Sequence, residues 1–290
     1  MKLLLLFQHG LGDCLQFTIV LKHLRHYYPQ IEIGVVAGLG RDNVFYGLAD
    51  KHWPLCHPFT WRDETWDSTL DVEWRRPTFN YLAAPTTKVS ESLITEFGLQ
   101  PIPELFKYEM IEQPGAREQA RPFLDSLPKP FAIIHGYSEV SNEQKNLTEQ
   151  EALAIANGLL DQGTTPLFLD PSRQLRNHRG DPRFKFLDKT ILGRWGNAQV
   201  LRAIMQEAQS VWAIDSGPSH LAATTPTPTH VIWKKTNPSY CFDPCGNVVH
   251  YLPPDWETLY HPRWAEEAIA FFKEHYTFKI YGDDFLKVKG

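Results

Sequence analysis

The sequence predicts an α/β protein of two Rossmann-like α/β/α lobes facing a central cleft. Three observations carry this. LLLLF at residues 3–7 is a short, uninterrupted apolar run, followed by a glycine turn and then by Leu15, Ile19, Leu21 and Leu24 at helical spacing. The same order of strand, turn and helix begins again at FAIIH, residues 131–135. Between the two series, Pro128 and Pro130 mark a linker. A strand apolar at every position is one covered on both faces, as in a parallel sheet. A strand, helix and parallel strand then imply a right-handed crossover.

The elements follow in order. The first helix runs to Tyr28, where Pro29 stops it, and IEIGVVA at 31–37 is the next strand. Residues 53–86 hold Trp53, Trp61, Trp66 and Trp74 among prolines and mixed charges, and are expected to form short strands and irregular loops. Helices are expected over 87–99 and 115–127, the second broken or kinked near Pro122. Thr148 and Glu151 make a T-x-x-E capping box for a helix over 149–162, which Gly163 ends. TPLFLD at 165–170 is a strand, and Asn197 caps a helix over 198–208. VWAID at 211–215 is a strand, Gly217 to Ala223 a helix, THVIW at 229–233 a strand, and 263–276 an amphipathic helix. The division is an N-terminal lobe over 1–128, a C-terminal lobe over 129–262, and a helix and tail over 263–290.

Composition excludes several classes. With 290 residues, 42% hydrophobic, 22% charged and a net charge of −5, the chain has the make-up of an ordinary globular protein. It lacks the basic balance of a nucleic-acid binder and any Lys/Arg run suited to a polybasic anchor. Four scattered cysteines, Cys14, Cys56, Cys241 and Cys245, are too few for a disulfide framework, and Cys241, Cys245 and His250 are too sparse for zinc. LLLLF is too short for a secretory signal, and no run approaches a membrane span. A cytoplasmic protein with at most peripheral membrane association is expected.

GLGDCL matches a dinucleotide turn at its first two glycines only, and Leu15 stands where the third belongs. Asp13 would repel a diphosphate at this helix start. The residues leave two readings of Asp13: a helix cap favourable with the macrodipole, or a general base pointed into the cleft with Gly10 and Gly12 admitting an acceptor. Further on, a strand ends at Asp215, and Ser216, Gly217, Pro218, Ser219 and His220 open a helix. Outward amides of Gly217, Ser219 and His220, with two hydroxyls and an imidazole, suit a diphosphate; a capped βα turn is the plainer reading. The companion loop, HGYSEVSNEQKNLTEQE, passes Ser138 and brings Lys145 to the start of a helix, either to neutralise phosphate or as a solvated lysine.

Three stretches resemble glycosyltransferase family nine, the heptosyltransferase-like enzymes. They are HGLGDCLQFTIVLKHLRHYYPQIEIGVV, FAIIHGYSEVSNEQKNLT and VWAIDSGPSHLAA, the last similar to the family's D-[ST]-G-P-x-H-L-A-A signature. Together they cover about a third of the chain. Asn146 and Leu147 stand where the family commonly has an Arg-Trp-like pair, and HGYS where its first loop usually has H-P-G. The resemblance implies the GT-B fold and an inverting, metal-independent transfer of a sugar, by family default heptose. It implies a nucleoside-diphosphate sugar as co-substrate, by default an ADP-sugar, with no other cofactor. A glycan or glycolipid acceptor, as in cell-envelope glycan biosynthesis, would meet the turn of His9, Gly10 and Gly12. Asp13 becomes the base, and Ser138, Lys145, Asp215, Ser216, Gly217, Pro218, Ser219 and His220 the donor side. It also implies a final helix returning toward the first lobe. Competing readings are a non-catalytic nucleotide-sugar or glycan binder, a nicotinamide-dependent oxidoreductase and a sugar epimerase.

Overall fold

The computed structural model describes residues 1–55, 61–73, 88–138, 145–170, 173–187, 189–192, 197–234, 238, 242–257 and 266–281. Strand β1 (Lys2–Phe7) enters helix α1 (Leu11–Tyr27) through Gln8–Gly10, and β2 (Glu32–Ala37) follows. Strands β3 (Lys51–Pro54) and β4 (Ser68–Asp71) complete a parallel sheet of order β3-β2-β1-β4. Leu3, Leu5 and Phe7 face the main core, while Leu4 and Leu6 face a cluster with Val36, Trp53, Trp61 and Trp66. The tryptophans are therefore the cover of this sheet's second face. Gly34 makes the fit: a Cβ there would lie 2.5 Å from the Trp66 ring.

Helices α2 (Lys88–Thr95) and α3 (Ala116–Asp125) lead to the second sheet. Its strands are β5 (Phe131–His135), β6 (Thr165–Leu169), β7 (Lys185–Leu187), β8 (Ser210–Ile214), β9 (Thr229–Ile232), β10 (Val248–Leu252) and β11 (Phe278–Ile280). All pairings are parallel, in the order β11-β10-β9-β8-β5-β6-β7. Helix α4 (Glu149–Asp161) opens on the expected capping box: Thr148 Oγ1 accepts from the Glu151 amide at 3.2 Å, and Glu151 accepts from the Thr148 amide at 2.6 Å. Helix α5 (Lys189–Leu192) precedes α6 (Ala198–Gln206), where Asn197 Oδ1 accepts from the amides of Gln199 and Val200 at 3.0 and 3.1 Å. Helix α7 (Gly217–Ala223) follows β8, and α8 (Glu266–His275) precedes β11.

Three expectations are corrected. Helix α3 runs through Pro122 as one element and is not broken there. Although α3 falls within residues 1–128, it packs on α6 of the second series. The final helix stays with the second sheet, where Phe272 stacks on Tyr276 and packs near Trp256 and Phe278. Residues 263–265 of that expected helix, together with Trp74, Cys56 and Cys241, lie outside the described residues. No helix among the described residues is long and apolar enough to cross a membrane.

One core runs through both lobes, because α1 packs on α7 and α3 on α6. Gln199 pins this contact. It is 1% exposed, its Nε2 donates to the carbonyls of Asn43 at 3.0 Å and Ile111 at 2.9 Å, and its Oε1 accepts from the Gln113 amide at 3.0 Å. Gln199→Leu keeps the volume but strands those groups. It is expected to lower unfolding free energy by about 2–4 kcal/mol, read by denaturant titration.

Candidate active site

Each sheet reverses its strand order once. In the first the reversal lies between β1 and β4, in the second between β5 and β8. Open α/β sheets bind ligands at the C-terminal ends of such neighbours. The turn after β1 carries His9, Gly10, Gly12 and Asp13; the turn after β8 carries Asp215 to His220, beside the loop after β5 with Ser138. The two helix starts meet. A Cβ on Gly12 would lie 2.7 Å from His220 Cδ2, and one on Gly217 would lie 2.7 Å from Leu11 Cβ. Each glycine thus accommodates a side chain of the opposite lobe.

Asp13 is in the first turn of α1. Its Oδ2 accepts from the Gly10 amide at 3.2 Å, so the capping reading holds for that oxygen. Its Oδ1 accepts from Lys88 Nζ at 2.9 Å. Sequence reading missed Lys88. It lies 75 residues away at the start of α2, and nothing local in TTKVSES marks it. Both carboxylate oxygens are held, and each retains a lone pair for a substrate hydroxyl. His9 Nε2 lies 3.0 Å from the Val72 carbonyl, which bridges the ends of β1 and β4. The His9 carbonyl accepts from Arg41 at 2.8 Å. Cys14, one residue beyond, is fully buried, and burial pushes its thiol far up, which removes it as a nucleophile.

On the facing side, Lys145 Nζ lies 3.7 Å from Asp215 Oδ2. Asn146, next to Lys145, is tied on two sides: its Oδ1 accepts from the Ser138 amide at 3.0 Å, and its carbonyl accepts from Lys234 Nζ at 3.0 Å. Leu147 is buried against Gly136. Asn146 and Leu147, the departures from the family's usual pair, thus brace the lysine loop.

The 215–220 turn differs from expectation in its donors. Ser219 Oγ is buried and donates to the Ser216 carbonyl at 2.7 Å, and Ser216 Oγ donates to the Ile214 carbonyl at 3.2 Å. The Ser219 and His220 amides also reach the Ser216 carbonyl, at 3.0 and 3.5 Å. A hydroxyl and an amide engaged within the turn are not free to meet phosphate. Helix α7 begins at Gly217, so Pro218 stands second rather than first. Pro218 has no N–H, so of the three amides expected to suit a diphosphate only that of Gly217 makes no hydrogen bond within the turn.

His220 is buried between the lobes. Its ring stacks on Phe242 with centroids 4.3 Å apart, and its Nδ1 lies 3.2 Å from Tyr108 Oη. Burial lowers its pKa to about 3, partly offset by Asp13, so the imidazole is neutral at pH 7. A phosphate would meet it as a dipole rather than as a cation.

No protein-family model matches the chain, and no curated protein sequence matches it significantly. Solved structures do. A glycosyl transferase family 9 protein from Veillonella parvula superposes with a TM-score of 0.67 at 14% identity, covering 86% of each chain. The E. coli ADP-heptose lps heptosyltransferase II gives 0.63 at 12% identity, covering 86% of this chain and 90% of that one. An E. coli heptosyltransferase solved with ADP gives 0.58 at 16% identity, covering 94% and 99%. The chain therefore has the GT-B fold that the sequence predicts, along nearly its whole length.

Burial of three histidines generates a pH prediction. His220 and His250 are lowered to about 3 and His230 to about 4, each chiefly by desolvation. Unfolded, each would titrate near ~6.5. Between those values the unfolded chain binds more protons. This part of the stability is complete above pH ~6.5 and is lost as pH falls below it, by about 1.4 kcal/mol per pH unit for each histidine. Denaturant titrations from pH 7 to 5 should show the loss, and His220→Gln should reduce the slope by about one proton.

Proposed function

We propose that the chain is a glycosyltransferase moving a sugar from a nucleoside-diphosphate donor to a hydroxyl of a glycan or glycolipid, with inversion and without a metal ion. One observation carries the reading: a carboxylate held by Lys88, and a helix-opening turn flanked by the Lys145–Asp215 ion pair, stand at two strand-order reversals that face each other across the lobe contact. The structural neighbours, two of them named for ADP-heptose or solved with ADP, support ADP-heptose as the first donor to try. Function in the cytoplasm, in building a cell-envelope glycan, belongs to the same proposal.

In this mechanism the acceptor oxygen attacks C1 of the donor sugar from the α1 side. Its proton passes to a free lone pair of Asp13, held in place by Lys88 and the Gly10 amide. The bond from C1 to the phosphate oxygen breaks, and that oxygen keeps the electron pair. Lys145, the Gly217 amide and the neutral His220 imidazole meet the developing charge. Asp215, paired to Lys145, orients that lysine rather than touching phosphate. The transition state is oxocarbenium-like, and attack opposite the leaving group inverts the anomeric centre.

The test follows ADP release from ADP-heptose with a cell-envelope glycolipid extract as acceptor. Asp13→Asn should lower turnover by about 10²–10⁴-fold and leave ADP affinity nearly unchanged. Lys88→Met, which frees the carboxylate to rotate, should lower turnover by about 10²-fold. Full activity in Asp13→Asn would sink the base assignment; ADP binding without turnover in the wild type would favour a non-catalytic binder.

A further inference from the structure

Tyr108 lies between α2 and α3, 112 residues from His220. It is buried, and its ring meets Phe242 edge-on at 5.6 Å, so that Phe242 contacts both Tyr108 and His220. Its hydroxyl oxygen accepts from the Asp243 amide at 2.7 Å and lies 3.2 Å from His220 Nδ1. An amide can only donate, so that contact occupies a lone pair of the oxygen. The hydroxyl still has one proton to give, and an enclosed O–H without an acceptor costs about 1–3 kcal/mol. His220 Nδ1 is the acceptor within reach. Burial and the Asp243 carboxylate hold the phenol well above its ordinary pKa, so the proton stays on the oxygen.

A neutral imidazole that accepts at Nδ1 carries its own proton on Nε2. That edge of the ring faces the Asp13 turn: a Cβ on Gly12 would lie 3.1 Å from Nε2. Nε2 has no hydrogen-bond partner among the described residues. The other tautomer would turn a bare lone pair toward an incoming phosphate and repel it.

We propose that Tyr108 is a positioning residue that locks His220 as the Nε2–H tautomer, so that the imidazole presents a hydrogen-bond donor to the departing diphosphate. The tautomer lock stands on geometry alone; its use toward diphosphate rests on the transferase reading. The turn sequence S-G-P-S-H cannot show this, because the residue that decides which nitrogen holds the proton lies 112 positions away, between α2 and α3.

The experiment is nitrogen NMR of the full chain with 15N-labelled imidazoles, the His220 signals being assigned by their loss in His220→Gln. The wild type should show a protonated Nε2 and a bare Nδ1 at pH 7. In Tyr108→Phe the proton should redistribute between the two nitrogens, and ADP affinity should fall about tenfold, the equivalent of ~1.4 kcal/mol. A wild-type His220 protonated at Nδ1, or an unchanged tautomer in Tyr108→Phe, overturns the lock. Unchanged ADP affinity in a variant whose tautomer has shifted overturns its role toward diphosphate. A wild type that binds no nucleoside diphosphate overturns the transferase reading instead, and the NMR result still decides the lock.

Discussion

Two glycines let the lobes touch at the place where chemistry is expected. Gly12 admits the edge of His220 and Gly217 admits the side chain of Leu11, each at a distance no Cβ could share. Those positions lie one residue before Asp13 and two after Asp215. A side chain at either glycine would hold the helix starts apart and separate Asp13 from the 215–220 turn. The contact also explains why one hydrophobic core spans both sheets, and why Gln199 and Tyr108 are buried with polar partners drawn from distant segments.

The charges around this contact are arranged in pairs. Lys88 holds Asp13 and Lys145 stands opposite Asp215, so each lobe brings an anion and a cation. His220 sits between them and stays neutral, because burial outweighs the attraction of Asp13. The serine hydroxyls of the 215–220 turn serve the turn itself. They hold the Gly217 amide and the His220 ring in place rather than adding donors to the pocket.

Much of the fold could be read locally. LLLLF, the T-x-x-E box at Thr148 and the Asn197 cap are short-range signals, and each appears where expected. Lys185–Leu187 and Phe278–Ile280 are strands too short to show a pattern. In Val248–Leu252 the apolar run is interrupted by His250, buried because its Nδ1 accepts from Trp233 at 2.9 Å. The apolar stripe of α3 shows that it packs without showing on what. At the site, Asp13 and the 215–220 turn announce themselves by spacing. Lys88 and Tyr108 do not, since each acts on a residue more than seventy positions away. The tryptophans of residues 53–66 suggest only short strands and irregular loops in sequence, yet they cover the first sheet, a role visible only once Gly34 is seen beneath Trp66.

The central claim is that the turn after β8, facing Asp13, is a site for a nucleoside diphosphate. Calorimetric titration of the purified chain with ADP, UDP, GDP, CMP and NAD, without added metal, tests it most directly. The account predicts selective binding of one nucleoside diphosphate, ADP first among them, that weakens when Lys145 is replaced by methionine. Binding of NAD alone, or of none of the five, would contradict it.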